Sequence, residues 1–395
     1  MNYNFDERII RTGTGSVKWD HSEELFGEKE MIPMWVADMD FRAPQPVIDA
    51  LKEKVEHGIF GYSKGSQAYL EAVSSWMNER FDWRVETDWI THSPGVVPAL
   101  NLIVQAFTKP GDGVIIQHPV YYPFTKVVEM NGRTLLSNPL KEEDGRYVMD
   151  FEDLEEKARK GAKLIILSSP HNPVGRVWSR EELNRLGEIC LKHGVLIAAD
   201  EVHADLIMPG HRHIPLASLS EALSERTITC TAPSKTFNLA GLQTSNIIIA
   251  NQELRVKFRK ALEQNFMGSI NTFGMVAAES AYRYGGDWLS QLISYIYENY
   301  TYAKDYISRH MEDLKVYPLE GTYLLWIDCR KHGLSAKELE RLVHKEAKVA
   351  FNQGYGFGEG GEGFIRMNIA CPRSTLIEGL ERLKKAFSGK KESLS

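Results

Sequence analysis

The chain is poor in cysteine, and its four cysteines (Cys190, Cys230, Cys329 and Cys371) are scattered with no Cys-x-x-Cys pair. Three of them lie in apolar runs. That spacing predicts reduced core residues of a cytoplasmic protein and no metal site. Long apolar stretches are also missing: none approaches the roughly 18 residues that would suggest a membrane-spanning helix. Residues 1–11 carry charges and no apolar core, so no secretory signal is expected. No long basic run interrupts a net charge of −6, which argues against nucleic acid or an anionic membrane as partner. Internal repeats and low-complexity linkers are absent as well.

What remains is an ordinary globular composition, 43% hydrophobic and 25% charged over 395 residues, enough for one large domain and a smaller one. Residues 1–45 read as irregular, with one unusual run, Met34-Trp35-Val36-Ala37-Asp38-Met39-Asp40-Phe41. From about 46 to 285, helical patterns alternate with short apolar runs. Tyr69, Val73, Trp76 and Met77 repeat at helical spacing behind Ser66, a residue suited to cap a helix. Ser179 and Glu182 form a capping-box pattern for a helix carrying Leu183, Leu186, Ile189 and Cys190 that stops at Gly194. The runs 114–117, 164–168, 195–199 and 227–231 read as strands. Continuous apolar strands separated by helices predict an α/β fold with a mostly parallel sheet covered on both faces. A long helical pattern after Gly285-Gly286 carries Leu289, Leu292, Ile293, Ile296, Tyr300 and Ile307 on one side. It leads to a smaller α+β module with strands near 321–328 and 363–369 and helices near 335–347 and 374–387, starting at Ser335 and Ser374. The expected division is 1–45 with the small domain, 46–285 as the large domain, and 286–395 as linking helix and small domain.

In an open α/β sheet, ligands bind at the carboxyl ends of the strands. Three consecutive strand ends here deliver an amide, a carboxylate and an amine: Asn172 after 164–168, Asp200 after 195–199, and Lys235 after 227–231. That ordered set is what a pyridoxal 5′-phosphate (PLP) enzyme needs. The lysine amine condenses with the cofactor aldehyde, and the carboxylate keeps the pyridine nitrogen protonated. Asn172 suits the phenolic oxygen. Each residue also has a plainer reading: a solvated lysine, a carboxylate that caps a helix or binds a metal, and a turn asparagine before proline. Lys235 must be neutral to attack an aldehyde, which a buried site near other cations achieves.

Asn172-Pro173-x-Gly175, Asp200 and Ser234-Lys235 closely resemble the fold-type I PLP enzymes of the class I/II aminotransferase superfamily. The resemblance spans roughly 30–388. It is nearest to the MalY/PatB branch of cystathionine β-lyase-type carbon–sulfur lyases. The motifs that carry it are the run 35–41, Gly61-Tyr62, Ser93-Pro94-Gly95-Val96-Val97, Asp200-Glu201-Val202-His203-x-Asp205 and Gly363-Phe364-Ile365-Arg366-Met367-Asn368. The resemblance implies a large domain with a seven-stranded-type sheet, a smaller α+β domain, and a homodimer whose active site is shared. It assigns the phosphate to the backbone N–H groups of Gly95, Val96 and Val97, at the start of a helix over 97–107, with the Ser234 hydroxyl and Tyr62 of the neighbouring subunit. Tyr121 would stack on the ring, or be a core tyrosine. His203 would lie beside the ring, or be a satisfied structural histidine. Arg366 would fork onto the substrate α-carboxylate, or sit in a buried ion pair. The substrate side would be completed by Ala37, Tyr121 and Asn172, with the run 35–38 and Thr322-Tyr323 lining the pocket.

Gln243 stands eight residues after the lysine, where aminotransferases often carry an arginine for the phosphate; the departure favours the lyase branch. Gly356-x-Gly358-x-x-Gly361 matches a dinucleotide fingerprint but precedes a strand, the wrong context. Six glycines between 354 and 363 read as a pliable exposed loop or a flap leading to Arg366. The expected chemistry is β-elimination from cystathionine, cysteine or another S-substituted cysteine, releasing a thiol, pyruvate and ammonia. Transamination shares its first steps and stays open, as does the regulatory binding of a transcription activator attributed to some members of the branch.

Overall fold

The computed structural model describes residues 2–394, with side chains through residue 389. Its centre is a seven-stranded sheet. The strands are β2 (Ile90–Ser93), β3 (Gly113–Ile116), β4 (Thr134–Ser137), β7 (Leu164–Ser168), β8 (Leu196–Asp200), β9 (Thr227–Thr231) and β10 (Ser245–Ile248). Their order is β2-β10-β9-β8-β7-β3-β4. Only β10 runs antiparallel to its neighbours. Alternate side chains of a strand point to opposite faces, and here both faces are apolar. Val114, Ile116, Leu164, Ile166 and Ala198 pack with Ala99, Leu100 and Ile103 of the helix Val96–Phe107. Ile115, Ile165, Leu167 and Ile197 pack with Leu183, Leu186 and Ile189 of the helix Arg180–His193. The capping box of Ser179 and Glu182 starts that second helix, and left-handed Gly194 ends it. Ser66 likewise caps its helix by accepting from the Tyr69 N–H.

A second sheet, fully antiparallel, has the order β11 (Lys315–Val316), β12 (Leu324–Asp328), β15 (Phe364–Asn368), β14 (Asn352–Gln353). The N-terminal strand β1 (Ile32–Pro33) pairs in parallel with β13 (Val349–Ala350). A short hairpin, β5 (Lys141–Glu143) with β6 (Arg146–Val148), stands apart from both sheets. Met34, Ala37, Met39 and Phe41 share one core with Leu324, Ile365, Met367 and the apolar side of the helix Gly286–His310.

Several expected boundaries move. The run 195–199 becomes Leu196–Asp200, so Asp200 closes the ladder opposite Ser168 and Cys230. The run 114–117 starts and ends one residue earlier, because Gln117 leaves the ladder to bond Asn138. The strand near 321–328 begins only at Leu324, since Thr322 has φ 71°, outside any strand conformation. The helix near 335–347 is Ala336–Arg341 behind a capping box at Ser335, then a wider turn over Leu342–Glu346. The last helix is longer than expected, Arg373–Leu394.

The glycine-rich stretch is exposed at Tyr355, Gly356, Glu359, Gly360 and Glu362, as a loop is expected to be, and closely packed at Gly354 and Gly358. A Cβ on Gly354 would lie 2.0 Å from the Gly361 carbonyl, and one on Gly358 would lie 2.3 Å from the His118 ring. The glycines serve close backbone approach there. Gly274, in the helix Thr272–Tyr284, has the same use: a Cβ would sit 1.8 Å from Thr244 Oγ1 and 2.5 Å from the Leu242 carbonyl. Gly274→Ala is therefore expected to lose about 1–3 kcal/mol of stability in urea unfolding. An unchanged midpoint would show that the helix can shift off the segment following the lysine loop at no cost.

Candidate active site

Because β10 is antiparallel to both β2 and β9, the carboxyl ends of β2, β9, β8, β7 and β3 share one edge of the sheet. Asn172 lies in the turn after β7, Asp200 ends β8, and Lys235 sits on the four-residue helix Pro233–Thr236 after β9. The lysine loop is locked from below. Thr236 Oγ1 donates to Asp205 Oδ2 at 2.8 Å, and Trp76 Nε1 donates to Asp205 Oδ1 at 3.1 Å. A cavity opens above this edge. Asn172, Asp200, His203 and Lys235 form its floor with Ser168 and Val202; Tyr121 and Tyr122 line it as well. Trp35, Val36 and Ala37 of the N-terminal run, with Asn352 and Arg366 of the second sheet, complete it.

The Lys235 amine donates to the Ala37 carbonyl at 2.6 Å, and Tyr323 Oη donates to the same oxygen at 3.0 Å. Burial pulls the lysine down to about 8; Asp38 and Asp200 oppose that shift and Arg366 adds to it. Burial pushes the Asp200 carboxyl up to about 7, against the Val202 N–H and the Lys235 charge, which favour its anion. His203 is buried, its Nδ1 has no hydrogen-bond partner, and desolvation holds the ring well below its usual value, hence neutral. The phenol of Tyr121 is driven to about 12 by burial.

Arg366 lies opposite Asn352 and Trp326 in the second sheet. Its Nη1 donates to Asn172 Oδ1 at 2.8 Å, and its Nη2 to the Trp35 carbonyl at 2.9 Å and Asn352 Oδ1 at 2.5 Å. Its Nε has no partner, and no carboxylate among the described residues pairs with it. Burial lowers it to about 10, so it stays cationic near neutral pH. A buried guanidinium without a counter-ion is a receptor for an anion. Since Asn172 spends its oxygen on Arg366, its amide N–H₂ is free to donate into the cavity.

The other expected residues are placed less centrally. Gly95, Val96 and Val97 stand at the first turn of the helix after β2, on the same edge, and Ser234 adjoins Lys235, yet none of the four lines the cavity. Tyr62 is fully exposed and does not line it either. Thr322 and Tyr323 are buried behind Ala37 rather than in the lining, and Asp38 turns away toward Arg11. Tyr122, Ser168, Val202 and Asn352 were not foreseen. Asn352 had no local signal, because only its register with Arg366 brings it in.

Asp200 carries a predictable penalty. Its folded pKa lies above its unfolded one, so stability of the cofactor-free protein falls as pH rises from about 4 to 7 and then levels off. Asp200→Asn should raise the melting temperature of the cofactor-free protein by a few degrees at pH 8 and leave it little changed at pH 4. Equal melting at pH 8 would show that the carboxylate is already compensated. Competitive acetylation of Lys235, followed by peptide mass spectrometry across pH, should give a midpoint near 8.

The sequence pattern of the aminotransferase class I and II family matches residues 29–383. Cystathionine beta-lyase PatB of Bacillus subtilis is 51% identical over 98% of this chain and 100% of its own length. Protein MalY of Escherichia coli is 31% identical over 98% of this chain and 99% of its own. The solved structure of the PLP-bound C-S lyase from Staphylococcus hominis superposes with a TM-score of 0.91 at 34% identity, covering 98% of both chains. With that edge of the sheet and these relatives over 98% of its length, the chain belongs to the aminotransferase class I and II family, in the branch that contains PatB and MalY.

Proposed function

We propose that the chain is a PLP-dependent carbon–sulfur β-lyase acting on cystathionine, and on cysteine or other S-substituted cysteines. One observation carries the reading: a half-buried lysine with a lowered pKa shares a cavity with a buried aspartate and with an arginine that lacks a counter-ion, in a relative of PatB. The unmet groups fit the cofactor. Asp200 needs a cationic partner, the Asn172 amide and the neutral His203 need polar atoms, and Arg366 needs an anion. When bound, PLP supplies an aldehyde for amine capture and a protonated ring that draws electrons from the substrate α-carbon.

The chain's own residues then have these roles. Asp200 would hold the proton on the ring nitrogen. The Asn172 N–H₂ would donate to the phenolic oxygen, with His203 beside it, and Tyr121 would lie against the ring. The N–H groups of Gly95, Val96 and Val97 at a helix start, with the Ser234 hydroxyl, hold the phosphate. Arg366 binds the substrate α-carboxylate, with Ala37, Tyr121 and Asn172 around it. The free Lys235 amine, poised at the Ala37 carbonyl, takes the α-proton as general base. The overall products of such an elimination, with one water consumed, would be the thiol, pyruvate and ammonia. Gln243 is exposed in left-handed backbone and brings no cation to the site, which supports elimination over transamination.

Tyr62, together with the exposed Ile59 and Phe60, supports a homodimer in which this segment enters the partner's site. The pairing of β1 with β13 and the shared core support grouping 1–45 with 286–395 around the large unit 46–285. Four free, buried thiols support a cytoplasmic setting, and no described helix is long and apolar enough to cross a membrane.

Protein incubated with cystathionine and no keto acid should release pyruvate, ammonia and homocysteine in equal amounts. Absence of all three, with transfer to an added keto acid, would make it an aminotransferase. Lys235→Ala should abolish turnover. Mixing Lys235→Ala with Tyr62→Ala subunits should restore activity from one intact site per mixed dimer; no recovery would remove Tyr62 from the partner's site.

A further inference from the structure

The run 35–41 has two sides, and only one faces the cavity. On the other, Arg11 forks onto Asp38, with Nη1 to Oδ1 at 3.0 Å and Nη2 to Oδ2 at 2.8 Å. Its Nη1 also reaches Asp40 Oδ1 at 2.7 Å. Lys18, 1% exposed, donates to Asp40 Oδ2 at 2.8 Å and to the Asp38 carbonyl at 3.3 Å, and Trp19 Nε1 donates to Asp40 Oδ1 at 2.9 Å. Two cations and two carboxylates close a cluster directly behind the catalytic pocket. The backbone between them is held from the remaining sides. Asn368 Nδ2 donates to the Val36 and Asp38 carbonyls at 2.7 and 2.6 Å, and Asn238 bonds the N–H and the carbonyl of Met39. The Ala37 carbonyl, in the middle, is left for Lys235 and Tyr323.

A role in stability accounts for Lys18 and Asp40, which are buried together. It does not account for Asp38, whose side chain is 23% exposed and whose anion acts on the Lys235 amine. We propose that Arg11 is a positioning residue for the lyase reaction: its fork onto Asp38 fixes the Ala37 carbonyl that holds the Lys235 amine and offsets the one carboxylate of the N-terminal segment acting on that amine. This rests on Lys235 being the proton-transfer base. The charged groups acting on Lys235 are Asp38 from the N-terminal run, Asp200 from β8 and Arg366 from β15. The titratable side chains packed there are His203, which is neutral, Tyr323, and Tyr121 and Tyr122 of the same lining.

The sign follows from charge. Without Arg11, the unopposed Asp38 anion favours the ammonium form of Lys235, and the acid limb of kcat against pH moves up. Without the Asp38 charge it moves down. In the holoenzyme, Arg11→Gln is expected to raise that limb by about half a pH unit, about threefold in kcat below it, and Asp38→Asn to lower it by a similar amount. Arg11→Lys should return most of the shift. The absorbance titration of the bound cofactor, read without substrate, should move in the same two directions. Limbs that stay in place, or move the same way in both variants while thermal stability drops, would reduce the cluster to a structural one and overturn the proposal. If Arg11→Gln does not fold, Asp38→Asn decides alone: a lowered limb supports the proposal and an unmoved one rejects it. Full activity in Lys235→Ala would instead overturn the reading of the base, whatever these limbs do.

Discussion

Everything at this site depends on keeping one amine out of water. A lysine in solvent is protonated at neutral pH and inert as a base or nucleophile. Lys235 reaches about 8 because burial penalises its charge, and burial is supplied by segments far apart in the chain. The parallel strand ends deliver the floor, the second sheet delivers Arg366, and the N-terminal run closes over both. If any of these withdrew, the amine would be fully hydrated and its pKa would return toward the ordinary lysine range. The same dryness raises Asp200, so the cavity holds an acid and a base that are each uncomfortable alone. That shared discomfort is an affinity for a ligand that presents a cation to one and an electrophile to the other.

The fold was largely legible because its elements obey local rules. The continuous apolar run at 164–168 and the β-branched run at 227–231 became strands at those same residues, both buried along their whole length. Ser66, Ser179 and Ser335 each cap the helix expected of them. Boundaries failed where tertiary contacts decide: Thr322 is held in a left-handed turn, and the helix after Ser335 widens at Leu342. At the site, Asn172, Asp200 and Lys235 could be read from their order at successive strand ends. Asn352 could not, because it arrives by register with a strand in another part of the chain. Asp38 was misplaced for a related reason. Its neighbours Trp35, Val36 and Ala37 line the cavity, but its own side chain leaves it, because the distant Arg11 and Lys18 meet it on the other side.

The glycine-rich stretch before β15 illustrates how composition misleads. Glycine suggests freedom, but here its missing side chain permits contact: Gly354 against Gly361, and Gly358 against His118. Ser137, which donates to Glu359, ties this stretch to the end of β4. Arg366 follows this stretch with its Nη donors already bonded to Asn172, the Trp35 carbonyl and Asn352.

The bond between Asn172 and Arg366 joins two sheets and, in the proposed reading, two ligands. One amide faces the cofactor with its nitrogen and the substrate's anchor with its oxygen. Ring orientation and carboxylate recognition then share a single side chain and cannot drift independently in evolution. In that reading, replacing Arg366 would release the Asn172 oxygen, so a change at the substrate's anchor reaches the cofactor's seat through one side chain.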